Sequence, residues 1–212
     1  MRSKADAILQ APVTRYLDEL LSSDPLLERM EQFARDQGHP IADRDVARLL
    51  ETLVKSHRPL RVVEVGTNIG YSVVAMGRQL PDHARIESIE IDPETLGIAG
   101  DFIGEAGLRC EVVLLEGAAL DVLPELEEGI DLAFIDCVKI EYQSYLDILI
   151  PKMRSGGLIV LDNVLWRGEV AEKKRSEEAE ALDRVNRFLV SDPRLMAVVI
   201  PMSDGIGLAA VL

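Results

Sequence analysis

The sequence predicts an α/β fold built on a doubly wound parallel sheet, and three observations support this class. From residue 61 onward, short apolar runs alternate with stretches of helical periodicity, which is typical of parallel strands joined by right-handed crossovers. Residues 61–92 read as strand, glycine turn, helix and strand, and the second strand carries Glu90 near its end. The chain has 212 residues, 48% of them hydrophobic, which is enough for one domain with a sizeable core. We therefore expect residues 1–212 to form a single domain.

The first 57 residues are predicted to be helical. The three helices expected there are Pro12–Leu21, Ser23–Gln37 and Asp43–Ser56. Ser23 or Asp24 is expected to cap the second helix, and Gly38 to end it. The third helix has an apolar stripe at helical spacing, formed by Val46, Leu49, Leu50, Leu53 and Val54.

The unit at residues 61–92 has the layout of a nucleoside site. Its predicted elements are, in order, the strand Arg61–Val65, the turn Gly66–Gly70, the helix Tyr71–Leu80 and the strand Ile86–Ile91. The carboxylate of Glu90 can accept hydrogen bonds from both hydroxyls of a ribose. The glycine spacing is G-x-x-x-G, and Asn68 interrupts the dinucleotide fingerprint G-x-G-x-x-G, so a ligand with ribose but no phosphate fits better. The alternative is that both glycines only make a tight turn.

Strands and helices continue to alternate after this unit. The predicted helices are Pro93–Ala106, Ala119–Leu126, Lys139–Ile150 and Glu177–Val190. The predicted strands are Cys110–Leu115, Ile130–Asp136, Leu158–Leu161, Met196–Pro201 and Ile206–Leu212. Only a short connection containing Ser203-Asp204-Gly205 joins the last two strands, which suits a hairpin. The last strand is therefore expected to run antiparallel.

Two carboxylates lie at the ends of predicted neighbouring strands. Asp136 follows one strand, and Asp162 with Asn163 follows the next. In an open α/β sheet the carboxyl ends of the strands face the ligand crevice. Two carboxylates and an amide oxygen suit Mg²⁺, Mn²⁺ or Ca²⁺ rather than zinc. From the residues alone, a helix cap at Asp136 and a turn at Asp162 are an equally good interpretation.

Composition limits the classes of partner. The net charge is −14, a field that repels nucleic acid and polyphosphates and tolerates cations. No run of apolar residues is long enough to span a membrane, and the N-terminal stretch lacks the features of a signal peptide. Cys110 and Cys137 lie in apolar strand contexts and are expected to be buried free thiols in a reducing cytoplasm.

Several ordered motifs resemble those of one enzyme family. They are VEVGTNIGYS followed by IEID, then FIDCVKIEYQSYL, SGGLIVLDNVLWRGEV and the ending DGIGLA. They are similar to S-adenosylmethionine-dependent, cation-dependent O-methyltransferases of the catechol and caffeoyl-CoA type. The resemblance covers roughly Leu50 to Leu212, and the N-terminal helices share it more weakly. It implies a Rossmann-like sheet of seven strands in the order 3-2-1-4-5-7-6, with the last strand antiparallel.

The resemblance also implies roles for individual residues. The cofactor-binding residues would be Glu64, Gly66, Thr67, Gly70, Ser72, Glu90, Ala118 and Asp136. The metal ligands would be Asp136, Asp162 and Asn163, and the catalytic residues Lys139 and Asp136. A dication and a sulfonium would lower the pKa of Lys139, which then acts as the general base. Tyr142 and Trp166 are candidates for the substrate slot, with a position in the core as the alternative for each.

The chain departs from the family at two places. Gly117-Ala118-Ala119 replaces a segment with an acidic or hydroxyl residue, which leaves the backbone amide of Ala118 to meet the adenine. Cys137-Val138 replaces a small and acidic pair after the metal aspartate, which changes the expected shape of the substrate pocket. The charged segment 167–176 is a candidate for a mobile flap.

The function expected is metal-dependent methyl transfer to a hydroxyl of a small catechol-like, vicinal dihydroxy substrate. Methylation of a hydroxyuridine in transfer RNA is an alternative that the net charge of −14 argues against, and the same charge disfavours coenzyme A thioesters. An alternative of another class is a non-catalytic nucleoside-binding or oligomeric scaffold protein, against which the presence of Lys139 and the acid pair speaks. A cytoplasmic homodimer is expected, with residues 1–57 serving the substrate or the contact between copies.

Overall fold

One seven-stranded sheet organises the computed structural model, which describes residues 11–21 and 24–212. The strands are β1 Arg61–Val65, β2 Arg85–Glu90, β3 Glu111–Glu116, β4 Ile130–Ile135, β5 Met153–Leu161, β6 Leu195–Ile200 and β7 Ile206–Val211. Their order is β3-β2-β1-β4-β5-β7-β6. The first five pair in parallel, and β7 runs antiparallel to both β5 and β6. The predicted fold class, strand order and antiparallel last strand are confirmed.

Eight α-helices are described around this sheet. They are α1 Ala11–Leu20, α2 Pro25–Gln37, α3 Arg44–His57, α4 Tyr71–Gly77, α5 Pro93–Ala106, α6 Ala119–Val122, α7 Tyr142–Leu149 and α8 Glu177–Ser191. Short 3₁₀ turns occupy Leu123–Glu125, Lys139–Glu141, Ile150–Lys152 and Trp166–Ala171. The helix predicted at Lys139–Ile150 therefore begins and ends in 3₁₀ turns. None of the described helices is long and apolar enough to cross a membrane.

Local capping chemistry sets the ends of α2. The side chain of Asp24 accepts hydrogen bonds from the backbone N–H of Leu26 at 2.9 Å and of Leu27 at 3.1 Å. At the other end Gly38 adopts the left-handed conformation, with φ of 80°. Two predictions concern residues that lie outside the described part of the chain. They are the alternative cap at Ser23 and the lack of signal-peptide features, which involves residues 1–10.

Alternate residues of the central strands face two separate apolar cores. On one side, Val63, Ala133 and Ile159 pack in the cluster that contains α7 and α8. On the other side, Leu132 and Val160 pack in the cluster that contains α2, α3 and α4. All six residues of β4 are buried, as predicted for a central parallel strand covered on both faces. The sheet thus holds its carboxyl edge rigidly between two helical layers.

Candidate active site

Strand register brings three predicted site residues to one edge of the sheet. Ile135 at the end of β4 pairs with Val65 of β1 on one side and with Leu161 of β5 on the other. The next residues along these strands are Gly66, Asp136 and Asp162. The N–H of Asp136 donates to the carbonyl of Val65 at 2.9 Å, and that of Asp162 to the carbonyl of Ile135 at 3.0 Å. The edge is therefore a fixed platform for side chains.

Gly66 lies where β1 and β4 come closest. Its φ is 102°, and a Cβ added there would lie 2.3 Å from the backbone oxygen of Asp136. No side chain fits at that distance, so close strand packing alone requires glycine at this position. Gly70 also has positive φ, at 83°, and ends the turn at the first residue before α4. At Gly66 the turn therefore places backbone, and no side chain, against the end of β4.

Glu90 projects from the end of β2 over this turn. Its Oε2 accepts from the N–H of Asn68 at 2.8 Å, and its Oε1 accepts from the N–H groups of Ile91 at 2.9 Å and Asp92 at 3.1 Å. A carboxylate has about four acceptor positions, so this fixed group can still accept from a ligand hydroxyl. Its half-buried position at the edge suits the predicted contact with a ribose.

A buried polar network lies beneath the glycine turn. Glu64, which is 0% exposed, accepts hydrogen bonds from the hydroxyls of Ser72 and Ser88. The hydroxyls of Thr67 and Ser88 lie 2.6 Å apart. Burial raises the pKa of Glu64 to about 7; the two serine hydroxyls oppose this rise, and the charges of Asp136 and Glu90 add to it. Ser72, predicted to bind the cofactor, therefore also anchors Glu64.

Lys139 and Tyr142 form a pair behind Asp136. The Nζ of Lys139 donates to Asp136 Oδ1 at 2.7 Å and lies 2.6 Å from the hydroxyl of Tyr142. That hydroxyl is also within hydrogen-bond distance of the carbonyls of Ile135, at 3.1 Å, and Asp162, at 3.0 Å. Tyr142 is 0% exposed. Its expected place in the substrate slot is corrected accordingly, because the ring lies in the core and the hydroxyl supports the lysine.

The proton of Lys139 is held more tightly than the sequence suggested. Burial is the largest influence on the pKa of this side chain and lowers it. Interactions with Tyr142, Asp136 and Asp162 together outweigh burial and raise the pKa above the ordinary value for lysine. The lowered pKa that is expected beside a dication and a sulfonium stays a prediction, and these protein side chains act against it. That prediction considered the positive charges of a dication and a sulfonium, but not the interactions of the lysine with Tyr142, Asp136 and Asp162.

The acid pair fits a hard divalent cation. Asp162 is 2% exposed, and burial followed by the charge of Asp136 raises the pKa of its carboxyl group. Two carboxylates that repel each other at a ligand edge are stabilised by a cation. Residues 11–21 and 24–212 hold no group of three or more His, Cys, Asp or Glu side chains arranged to hold a metal ion. In the predicted ligand set the third oxygen belongs to the amide of Asn163, which such a group does not include.

The loop that follows Asp162 carries the remaining candidates. Asn163, with φ of 58°, donates its backbone N–H to Asp162 Oδ1 at 2.6 Å. Trp166, with φ of 46°, is half-buried and packs on the edge of the core that contains α7 and α8. In the predicted flap, the N–H of Ser176 donates to Glu169 at 2.5 Å. The mobility of this segment stays a prediction.

Comparison with known proteins agrees with this geometry. A family model described as O-methyltransferase matches residues 18–212. The chain belongs to the O-methyltransferase family. The catechol O-methyltransferase of Niastella koreensis is 33% identical in an alignment 213 residues long, which covers 94% of this chain and 96% of that protein. The caffeoyl-CoA O-methyltransferase of Stellaria longipes is 31% identical over 190 residues, which cover 80% of this chain and 77% of that protein. The resemblance in the motifs is confirmed.

Solved structures give the same result for the fold. The crystal structure of an O-methyltransferase from Bacillus cereus in complex with S-adenosylhomocysteine has a TM-score of 0.86 and 27% sequence identity. The match covers 95% of this chain and 97% of that chain. A putative O-methyltransferase from Klebsiella pneumoniae has a TM-score of 0.84 and 31% identity, with coverage of 94% and 96%.

The structure of this O-methyltransferase brings most of the predicted site residues to one edge. Ala118 precedes α6 at the end of β3, next to β2 with Glu90, which suits contact with a ligand through its backbone. Sequence reasoning missed Ser88 as a partner of Glu64, because only the β1–β2 register reveals it. It also missed Asp204, whose carboxylate accepts from the N–H of Arg167 in the loop after Asp162. The motif DGIGLA contained this residue but gave it no role.

Proposed function

We propose that this O-methyltransferase transfers a methyl group from S-adenosylmethionine to one hydroxyl of a small vicinal dihydroxy phenol, with the help of a divalent cation. Mg²⁺ is the preferred ion, with Mn²⁺ or Ca²⁺ as alternatives. The single observation that carries the proposal is the shared edge: Asp136 lies beside the glycine turn on one side and beside Asp162 on the other. The Niastella koreensis relative is named a catechol O-methyltransferase, which supports the proposed acceptor. The Bacillus cereus structure is a complex with S-adenosylhomocysteine, which supports the proposed donor.

The cofactor half of the site comprises the ends of β1, β2 and β3. Glu90 would accept from the ribose hydroxyls, and the backbone from Gly66 to Gly70 would lie along the methionine part. Glu64, Thr67 and Ser72 form the buried network below it. At neutral pH, where Glu64 is close to half-ionised, the positive charge of the cofactor would favour its carboxylate form.

The acceptor half comprises the ends of β4 and β5. Asp136, Asp162 and Asn163 would hold the cation through oxygen. When bound, such an ion supplies a Lewis acid for adjacent hydroxyls and offsets the two carboxylates that hold the proton of Lys139. Trp166 remains the candidate for contact with the ring of the acceptor, since it is half-buried in the same loop as Asn163.

The reaction class forms one O–C bond, breaks one S–C bond and releases one proton from the acceptor hydroxyl. Lys139 would take that proton, because its amine is the basic group held at this edge, 2.7 Å from Asp136. The lysine first gives up its own proton to solvent, so that the neutral amine is present when the acceptor hydroxyl ionises. Tyr142, buried behind it, would hold the amine in place through the contact of 2.6 Å. Asp136 would contact both the ion and the lysine.

The proposal includes a cytoplasmic homodimer in which residues 1–57 contribute to the substrate site or to the contact between copies. Three apolar side chains on α1 support a docking role, since Val13 is 45% exposed, Tyr16 59% and Leu20 60%, at the spacing of one helical stripe. Cys110 and Cys137 are both free thiols, which suits a reducing compartment. Sedimentation of the purified protein measures the oligomeric state, and a monomer at all concentrations would contradict the dimer.

A methyl-transfer screen tests the proposed function. S-adenosylmethionine with a tritiated methyl group is supplied with catechol, with guaiacol or with transfer RNA that contains unmethylated hydroxyuridine, each with Mg²⁺ or with excess chelator. Guaiacol is the matched control because it keeps one hydroxyl and lacks the free neighbour. Transfer to catechol alone, lost in chelator and restored by Mg²⁺, is the expected result. Transfer to transfer RNA, with a steep dependence on salt, would support the RNA alternative. Absence of transfer to any acceptor would favour the scaffold alternative.

A further inference from the structure

The loop from Asn163 to Gly168 has an unusual backbone. Asn163, Trp166 and Arg167 all have positive φ, at 58°, 46° and 57°. Residues with a side chain rarely adopt this conformation, and a bulky residue such as tryptophan adopts it least. Such residues persist only where the surrounding structure over-determines them, which happens most often at functional sites. Something outside the loop therefore has to hold it.

The turn between β6 and β7 supplies that hold. The N–H of Val164 donates to the carbonyl of Gly205 at 3.0 Å, and that of Leu165 donates to the carbonyl of Asp204 at 2.9 Å. The carboxylate of Asp204 accepts a further hydrogen bond from the N–H of Arg167. Asp204 is 1% exposed, so its bond to Arg167 is shielded from water. Three hydrogen bonds thus fasten the loop to one turn.

The contact between loop and turn leaves no spare room. Gly205 has φ of 89°, and a Cβ added to it would lie 2.4 Å from the Cγ of Leu165. The turn is itself held by the start of α3, because the hydroxyl of Ser203 donates a hydrogen bond of 2.6 Å to Asp45 Oδ1. The N-terminal helices, the turn and the loop are therefore connected in series.

We propose that Asp204 is a positioning residue for methyl transfer. It holds the N–H of Arg167 and thereby fixes the loop that carries Asn163 and Trp166 at the edge beside Asp136. The inference rests on the proposed function for the roles of Asn163 and Trp166, but the fixing of the loop stands on geometry. Asp204 touches no reacting atom and acts through the loop alone.

The single tryptophan of the chain reports directly on this loop. Trp166 emission and its quenching by acrylamide are measured in chelator for the wild type, Asp204→Ala and Asp204→Asn. Mg²⁺ and S-adenosylmethionine affinities are measured by calorimetry on the same protein preparations after the chelator has been removed. For Asp204→Ala we expect stronger quenching and Mg²⁺ binding weakened roughly ten- to a hundred-fold, the range of one hydrogen bond to a charged group. Asp204→Asn retains an acceptor oxygen and should lie closer to the wild type. Cofactor affinity should change in neither.

A second pair of variants keeps the test decisive if Asp204→Ala does not fold. Gly205→Ala pushes on Leu165, whereas Gly156→Ala has a similar φ of 80° and nothing within 4 Å of the added Cβ. Only Gly205→Ala should change the quenching of Trp166. Unchanged quenching in Asp204→Ala, or in Gly205→Ala where Asp204→Ala does not fold, would overturn the proposal.

The outcomes separate this inference from the proposed function. A wild-type protein that binds no Mg²⁺ would remove the proposed metal site, and the quenching of Trp166 would still decide whether Asp204 fixes the loop. A wild type that binds Mg²⁺ and methylates catechol, together with an Asp204→Ala variant of unchanged quenching and affinity, would remove the positioning role alone.

Discussion

Replacing Glu64 by glutamine tests the electrostatics below the cofactor turn. Burial raises the pKa of this carboxyl group from 4.5 to about 7 in the folded protein. A raised folded pKa means that the folded state binds the proton more tightly than the unfolded state does. The group therefore costs no stability at low pH, and its cost grows as the pH rises from 4.5 to 7. Above that window the cost is constant at roughly 3 kcal/mol, since one pKa unit is worth about 1.4 kcal/mol.

Urea unfolding at a series of pH values, without cofactor, measures this cost. Glutamine has nearly the same shape as glutamate but does not ionise. Its oxygen can accept from one of the two serine hydroxyls, and its NH2 group can donate to the hydroxyl oxygen of the other. The free energy of unfolding of Glu64→Gln relative to the wild type should rise by roughly 2–3 kcal/mol between pH 5 and pH 8. Glu116→Gln, at the exposed end of β3, controls for the loss of one carboxylate. If the free energies of unfolding of the wild type and of Glu64→Gln changed with pH in parallel, the reasoning would be refuted.

Three further substitutions test separate parts of the site. Glu90→Ala should weaken S-adenosylmethionine binding by roughly 1–3 kcal/mol, because ribose hydroxyls lose their acceptor; unchanged affinity in calorimetry would remove this role. Lys139→Ala should lower the rate roughly 10²- to 10⁴-fold and move the pH–rate profile upward, since the acceptor then ionises without a base; a profile equal to the wild type in height and position would exclude the lysine. Gly66→Ala puts a Cβ 2.3 Å from the backbone oxygen of Asp136 and should lower the free energy of unfolding by roughly 1–3 kcal/mol or more. Gly129→Ala, at a position with positive φ and open space, should lower it less. Equal melting temperatures of the two variants would contradict this.

The sequence contained most of the local information that builds this fold. The cap at Asp24, the stop at Gly38 and the apolar run of β4 act over a few residues, and the structure has them as predicted. The start of β5 was not predictable in the same way. It begins at Met153 rather than at Leu158 because Met153 pairs with Ile130, and a register shift places the extra residues in β5, between Met153 and Leu158. The two glycines at Gly156-Gly157 are not typical of a strand interior, so the sequence did not predict that β5 extends to Met153. The pairing with Ile130 depends on a strand more than twenty residues away.

The site shows the same division between local and distant information. Asp136, Asp162 and Glu90 could be found because each lies where a recognisable strand ends. The burial of Tyr142 and the raised pKa of Lys139 depend on how β4, β5 and the following turn pack together, which no short motif encodes. Asp204 acts on a loop 37 residues earlier in the chain, so its role required the tertiary structure.

The most direct test of the central claim is methyl transfer to catechol as a function of free Mg²⁺, for the wild type and Asp162→Ala, with S-adenosylmethionine binding measured on the same samples. The wild-type rate should follow Mg²⁺ and vanish in excess chelator. Asp162→Ala should lose transfer at every Mg²⁺ concentration and keep its cofactor affinity, because the glycine turn and Glu90 lie on other strands. Full transfer by Asp162→Ala, or by the wild type in excess chelator, would contradict a metal site formed by the ends of β4 and β5.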